Sequence, residues 1–187
     1  MKMKKIFILL ILVLVMTHIQ GSPVKKNEEV IFLPTYAYFS GNAIVANIHA
    51  WVFEPEHRSI KRRLLYNALI KYLNIERNKK AIAVLKERTF YFTVDNESNK
   101  VLRLYLYIRN KPFVLQKTGP NGHSVSKIRF YHNSIKAKYG VMVFRFFIRT
   151  KDNRKVDGCF YCLKPHGVSI ISDIDDTIKI SNVINKN

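Results

Sequence analysis

Acidic residues are scarce in this chain. Asp and Glu number 13 against 32 Lys and Arg, and the formal net charge is +19. An excess of that size suits an anionic partner surface, phospholipid or nucleic acid. No RNA- or DNA-binding signature accompanies it, and the basic residues are spread along the chain rather than gathered in one stripe, so the expectation is an anionic phospholipid or membrane surface and no nucleic acid. Cysteine is nearly absent as well. Cys159 and Cys162 stand alone in Cys-Phe-Tyr-Cys, and a zinc site needs two more ligands that the neighbouring sequence does not offer. A thioredoxin-like site needs that spacing at a helix start after a strand. On a strand, positions three apart face opposite sides, which disfavours a bridge between them. There is no internal repeat and no low-complexity stretch. The longest apolar run, residues 6–16, falls short of the ~20 residues that a membrane-spanning helix wants.

That run follows Lys2, Lys4 and Lys5 and leads to Gly21 and Ser22, the layout of a secretory signal over residues 1–22. An uncleaved membrane anchor is the alternative. Cleavage removes three lysines and leaves the protein strongly basic. The expected location is outside the cytoplasm, periplasmic or secreted.

A hydrophobic content of 48%, with 12% aromatic residues, is ample for a core and excludes disorder over most of the length. Two strand-like runs flank the turn signal Ser40-Gly41-Asn42. In the second, Ile44, Ala46, Ile48, Ala50 and Val52 share one face, the core face, and Asn47, His49 and Trp51 share the other. His49 reads as a sheet residue satisfied by a partner rather than a ligand. Ser59 is a plausible N-cap for a helix in which Leu64, Leu65, Ala68, Leu69, Tyr72 and Leu73 recur at helical spacing. Lys61, Arg62 and Arg63 stand in its first turn, where the helix dipole disfavours cations. That placement admits a lipid-headgroup contact or a solvated basic face. Residues 74–86 are open between a short helix and a loop.

From residue 89 to 163, strand and turn alternate. Phe90, Phe92 and Val94 form one alternating set, Leu102, Leu104, Leu106 and Ile108 another, and Met142, Phe144, Phe146 and Ile148 a third. Breaks fall at residues 95–99, 110–112, 119–122 and 151–154. The expected fold is mainly β with one or two helices, residues 24–163 forming a β-sandwich-like domain. His123 begins a strand after Asn121-Gly122, with a turn-flanking structural role at least as plausible as a functional one. Residues 164–167, with Pro165 and Gly167, read as a linker.

After the linker comes a short β-branched run that ends on carboxylates: Val168-Ser-Ile-Ile-Ser-Asp173-Ile-Asp175-Asp176-Thr177. Ligands of open α/β sheets bind at the carboxyl ends of strands, and strand residues two apart share a face, so Asp173 and Asp175 can address one phosphate or metal. An Asp nucleophile can take a phosphoryl group while a second carboxyl serves as acid and base, and Mg²⁺ offsets the repulsion between the two anions. An EF-hand loop at Asp173, Asp175 and Thr177 needs Gly where Ile178 stands and Glu where Ile184 stands, which argues against calcium. Helix capping by Asp175 or Asp176 is compatible with catalysis.

The string Asp173-Ile-Asp-Asp-Thr177 resembles the first motif, Asp-x-Asp-x-Thr, of the haloacid-dehalogenase-like phosphatases. The longer stretch 167–179, Gly-Val-Ser-Ile-Ile-Ser-Asp-Ile-Asp-Asp-Thr-Ile-Lys, is similar to one branch of them, the actin-patch-type phosphatidate phosphatases. Residues 41–56, ending His-Ala-Trp-Val-Phe-Glu-Pro-Glu, and Asn121-Gly122-His123 also resemble the amino-terminal domain of that branch. The resemblance implies Mg²⁺-dependent hydrolysis of phosphatidate to diacylglycerol through an aspartyl phosphate. In it Asp173 is nucleophile and metal ligand, Asp175 is acid/base and metal ligand, and Thr177 stabilises the loop. Residues 168–187 are then the start of an incomplete catalytic domain, because the family's second-motif Ser or Thr, third-motif Lys and fourth-motif acids have no matching positions. The expectation is that the 187-residue chain is inactive by itself. The alternative is a non-catalytic, secreted basic β-domain that binds an anionic membrane or a partner protein.

Overall fold

The computed structural model describes residues 21–55, 59–131 and 142–163. The protein is mainly β, with one mixed nine-stranded sheet and two α-helices among the described residues. The strands are β1 (Glu29–Leu33), β2 (Thr35–Ser40), β3 (Ala43–Glu54), β4 (Asp95–Asn96), β5 (Arg103–Leu106), β6 (Phe113–Val114), β7 (His123–Tyr131), β8 (Met142–Arg149) and β9 (Lys155–Cys162). The helices α1 (Ile60–Tyr72) and α2 (Lys79–Arg88) and a 3₁₀ turn (Phe90–Thr93) are inserted between β3 and β4. No described helix is long and apolar enough to cross a membrane.

β3 is the strand the others gather around. Ile44, Ala46, Ile48, Ala50 and Val52 are all buried, the alternation read from the sequence. β7 runs antiparallel along one edge of β3, from Ala43↔Tyr131 to Trp51↔His123. The other edge is shared: β2 pairs with its first half and β1 with its second. Pro34 separates β1 from β2, in keeping with the missing N–H that makes proline a break in a ladder. Gly41 takes the left-handed conformation that closes the β2–β3 hairpin, at φ +59. β2 then pairs in parallel with β9, and the order continues β9-β8-β5-β6. Both halves bury their apolar faces in one core. Phe130 of β7 meets Phe144 of β8 and Phe160 of β9, at 5.6 and 6.1 Å between ring centroids, and Phe32 of β1 meets Phe146 edge-on at 4.8 Å.

Three readings of the sequence are corrected. Phe90 and Phe92 lie in the 3₁₀ turn, not a strand, because α2 ends at Arg88 and the chain winds on through it. Ile108 lies beyond the end of β5 and is exposed. The leucine face of α1 does not pack: Leu64 is 62% and Tyr72 83% exposed, and the one buried residue of the helix is Arg62. The Ser59 cap is as expected, accepting from Arg62 N at 3.4 Å. The stretch left open holds α2, capped by Asn78, whose side chain accepts from Ala81 N at 3.0 Å.

Candidate functional site

Asp173, Asp175 and Thr177 lie outside the described residues, as do residues 1–20 and the rest of residues 164–187. The upstream segments are described, and the fold brings them together. Residues 41–54 supply β3, Asn121-Gly122-His123 supplies the start of β7, and the register pairs Trp51 with His123. Gly122 makes the approach possible. Its φ is +75, and a Cβ there would stand 2.4 Å from Val52 O, while Val52 N donates to Gly122 O at 2.9 Å.

On the face of β3 away from the core, the neighbours build a ring cluster. His49 Nε2 lies 2.9 Å from His123 Nδ1, one nitrogen donating and the other accepting. His123 stacks on Trp51 at 5.5 Å, and Trp51 Nε1 donates to Asn96 Oδ1 at 2.8 Å. His49 thus has the partner expected of it. Burial, and then the neighbouring His49, hold the His123 pKa below its ordinary value, which favours the neutral His123 ring. No group of three or more His, Cys, Asp or Glu among the described residues is arranged to hold a metal.

A second polar centre is ionic and buried. Glu28, fully buried, takes Lys100 Nζ at 2.5 Å and the backbone N–H of Lys25 at 2.8 Å, while Lys100 also reaches Glu97 at 3.0 Å. Burial pushes the Glu28 carboxyl up, but the Lys100 and Lys25 contacts outweigh it and hold the pKa below the usual value. For Lys100 burial pulls down, and hydrogen bonds to Glu28 and Glu97 raise it overall. The triad ties the chain before β1 to the chain before β5 and is structural.

Cys159 and Cys162 are free thiols, half-buried and buried respectively. Burial raises the pKa of Cys162, which makes it a core residue rather than a nucleophile.

The outward face of β5, β8 and β9 interleaves rings with cations. Register places Tyr105, Phe147 and Asp157 side by side and, next to them, Arg145 beside Cys159 and Arg149 beside Lys155. Phe147 stacks on Tyr105 at 5.3 Å, Lys155 lies over Tyr107 and Phe147 at 4.4 and 4.7 Å, and Arg149 lies over Phe147 at 5.7 Å. Tyr161 and Tyr36, register partners, extend the face through β9 to β2. The sequence pattern assigns the inward sets of β5 and β8 and gives their outward residues, and those of β9, no role. The alternation that hides Phe144, Phe146 and Ile148 is the signal that exposes Arg145 and Arg149.

Comparison with protein-family models, with curated proteins and with solved structures found no match to this chain. The phosphatase resemblance therefore rests on the residues quoted for it.

Proposed function

We propose that the protein binds anionic phospholipid surfaces through a basic β-module, residues 24–163, and serves a phosphatidate phosphatase-like activity whose first catalytic motif is Asp173 to Thr177. The observation that carries the membrane reading is the outward face of β5, β8 and β9, where rings and cations alternate over a sheet whose other side is core. Aromatic rings favour the membrane–water interface, and each nearby Lys or Arg adds about 1 kcal/mol at an anionic leaflet. The one carboxylate on that face, Asp157, is engaged by Tyr107 Oη at 2.6 Å and by Lys155 at 3.6 Å.

In this reading the module is β-sandwich-like, and the strand after it opens a haloacid-dehalogenase-like domain. Asp173 attacks phosphorus, Asp175 protonates the leaving oxygen and then activates water, and Thr177 steadies the loop. Asp173, and Asp175 through its backbone carbonyl, would hold Mg²⁺, which would supply charge neutralisation at the phosphoryl group. The Asp-Ile-Asp-Asp-Thr string supports these roles, and the charged and apolar start supports export.

Cosedimentation with phosphatidylcholine vesicles containing phosphatidate tests the surface. Binding is expected to fall sharply in Arg145→Glu/Arg149→Glu with the thermal midpoint preserved. Unchanged binding would remove this face from the account, and equal loss of binding to a single-stranded oligonucleotide would favour nucleic acid.

A further inference from the structure

Apart from that face, the helical insertion forms an open cavity of about 1210 Å³, lined by α1, α2 and the 3₁₀ turn. Four cations border it, Arg62, Arg63, Lys86 and Arg88, against one carboxylate, Glu87. None of the four makes an ion pair among the described residues. Arg62 is the unusual member: it is 7% exposed, the buried residue of a helix whose leucines are not. Its guanidinium donates to the carbonyls of Pro55 and Thr93, the latter at 3.1 Å, and lies 5.1 Å over the Phe90 ring. Among the described residues, those contacts leave Nε buried with no hydrogen-bond partner. Buried charge is stable when paired, and a buried donor without an acceptor carries its full desolvation cost. The α1 dipole adds to the imbalance, because its first turn holds no acid.

We propose that this cavity binds the phosphate of a phosphate monoester, with Arg62 as the buried anchor and Arg63, Lys86 and Arg88 around it. A dianionic phosphate accepts from several cations at once and suits the fork geometry of arginine. The volume exceeds what inorganic phosphate fills, and Tyr66, Phe90 and Tyr91 offer rings for an organic body. The monoester chemistry is common to a soluble ester and to the headgroup of phosphatidate. The proposal stands independently of the sheet face.

The test uses the full chain with glycerol 3-phosphate, with glycerol as neutral control, and with phosphatidylcholine vesicles with and without phosphatidate. Calorimetry gives affinity, and NMR of the arginine Nε–Hε groups reports on Arg62. Saturable binding of glycerol 3-phosphate that shifts the Arg62 Nε–Hε signal identifies a soluble ester. Binding confined to phosphatidate vesicles and weakened in Arg63→Ala/Arg88→Ala identifies a lipid headgroup. In either case that pair of exposed substitutions is expected to weaken binding roughly tenfold or more while leaving the thermal midpoint in place. Arg62→Lys, which keeps the charge and loses the fork, is expected to weaken it further. The proposal is overturned if neither probe binds, or if binding is indifferent to Arg63→Ala/Arg88→Ala and lost in Arg145→Glu/Arg149→Glu.

Discussion

Gly122 is the residue on which the β3–β7 pairing turns at its open end. Any side chain there meets Val52 O and must also adopt a left-handed backbone. Gly122→Ala is therefore expected to cost about 1–3 kcal/mol, read as a lower urea midpoint, and to disturb the His49–His123 hydrogen bond. The ionic triad behaves differently. Lys100→Met removes the buried cation from fully buried Glu28 and leaves it only Lys25, with an expected loss of about 3–5 kcal/mol, whereas adding Glu28→Leu should recover much of it. The pH dependence follows from the shifts. The Glu28 pKa is depressed, so its stabilisation is present above the ordinary value of 4.5 and is lost as pH falls through the folded value. His123, also depressed, opposes acidification below its ordinary 6.5. Lys100 is raised, so its contribution is complete below 10.5 and is lost as pH rises through the folded value. The thermal midpoint is expected to be flat from about pH 6.5 to about pH 9, above which the raised pKa of buried Cys162 begins to favour the unfolded chain, and to fall on either side. A midpoint that rises between pH 6 and pH 4 would contradict the sign for both acid-side groups. The long-range partnerships, His49 with His123 and Glu28 with Lys100, were not legible in the sequence, because they join residues 74 and 72 positions apart; only His49's need for a partner could be read from its place on the outer face of β3.

Among the elements, the long strands β3, β7 and β8 and the helix α1 were legible, whereas α2 and the two-residue strands β4 and β6 were not. β3, β7 and β8 keep a two-residue period because one face is buried along their length, and that period survives in the sequence. The apolar spacing of α1 gave a correct helix and a wrong face. Its leucines stay open, while Arg62 finds carbonyls at the 3₁₀ turn that no periodicity could announce. The parallel β2–β9 pairing was equally invisible, since it depends on the chain returning after more than a hundred residues. The two kinds of element should respond differently to substitution. Ile48→Ala, in the core of β3, is expected to cost about 2–5 kcal/mol, and Leu64→Ser on α1 to stay within about 0.5 kcal/mol. Denaturant titrations of the two variants would show it. Amide exchange should rank the same way, with α1 opening before β3 and β7.

For the whole molecule, charge and sheet geometry act together. The excess of cations makes approach to any anionic surface favourable, and the outward face of β5, β8 and β9 adds rings suited to an interface. The string Asp173 to Thr177 was the most distinctive stretch of the sequence, and it lies outside the described residues. Under the phosphatase proposal, Asp173→Asn in a chain extended by a complete catalytic domain is expected to abolish Mg²⁺-dependent phosphate release from phosphatidate, because the proposed carboxylate nucleophile would be gone.

The central claim, that the module recognises anionic phospholipid, is tested most directly by titrating the protein with vesicles of phosphatidylcholine alone and of phosphatidylcholine with phosphatidate, each at low and high salt. The account predicts binding to the phosphatidate vesicles alone, weakening as salt screens the surface charge. Equal binding to both vesicle types, or binding to neither, would contradict it.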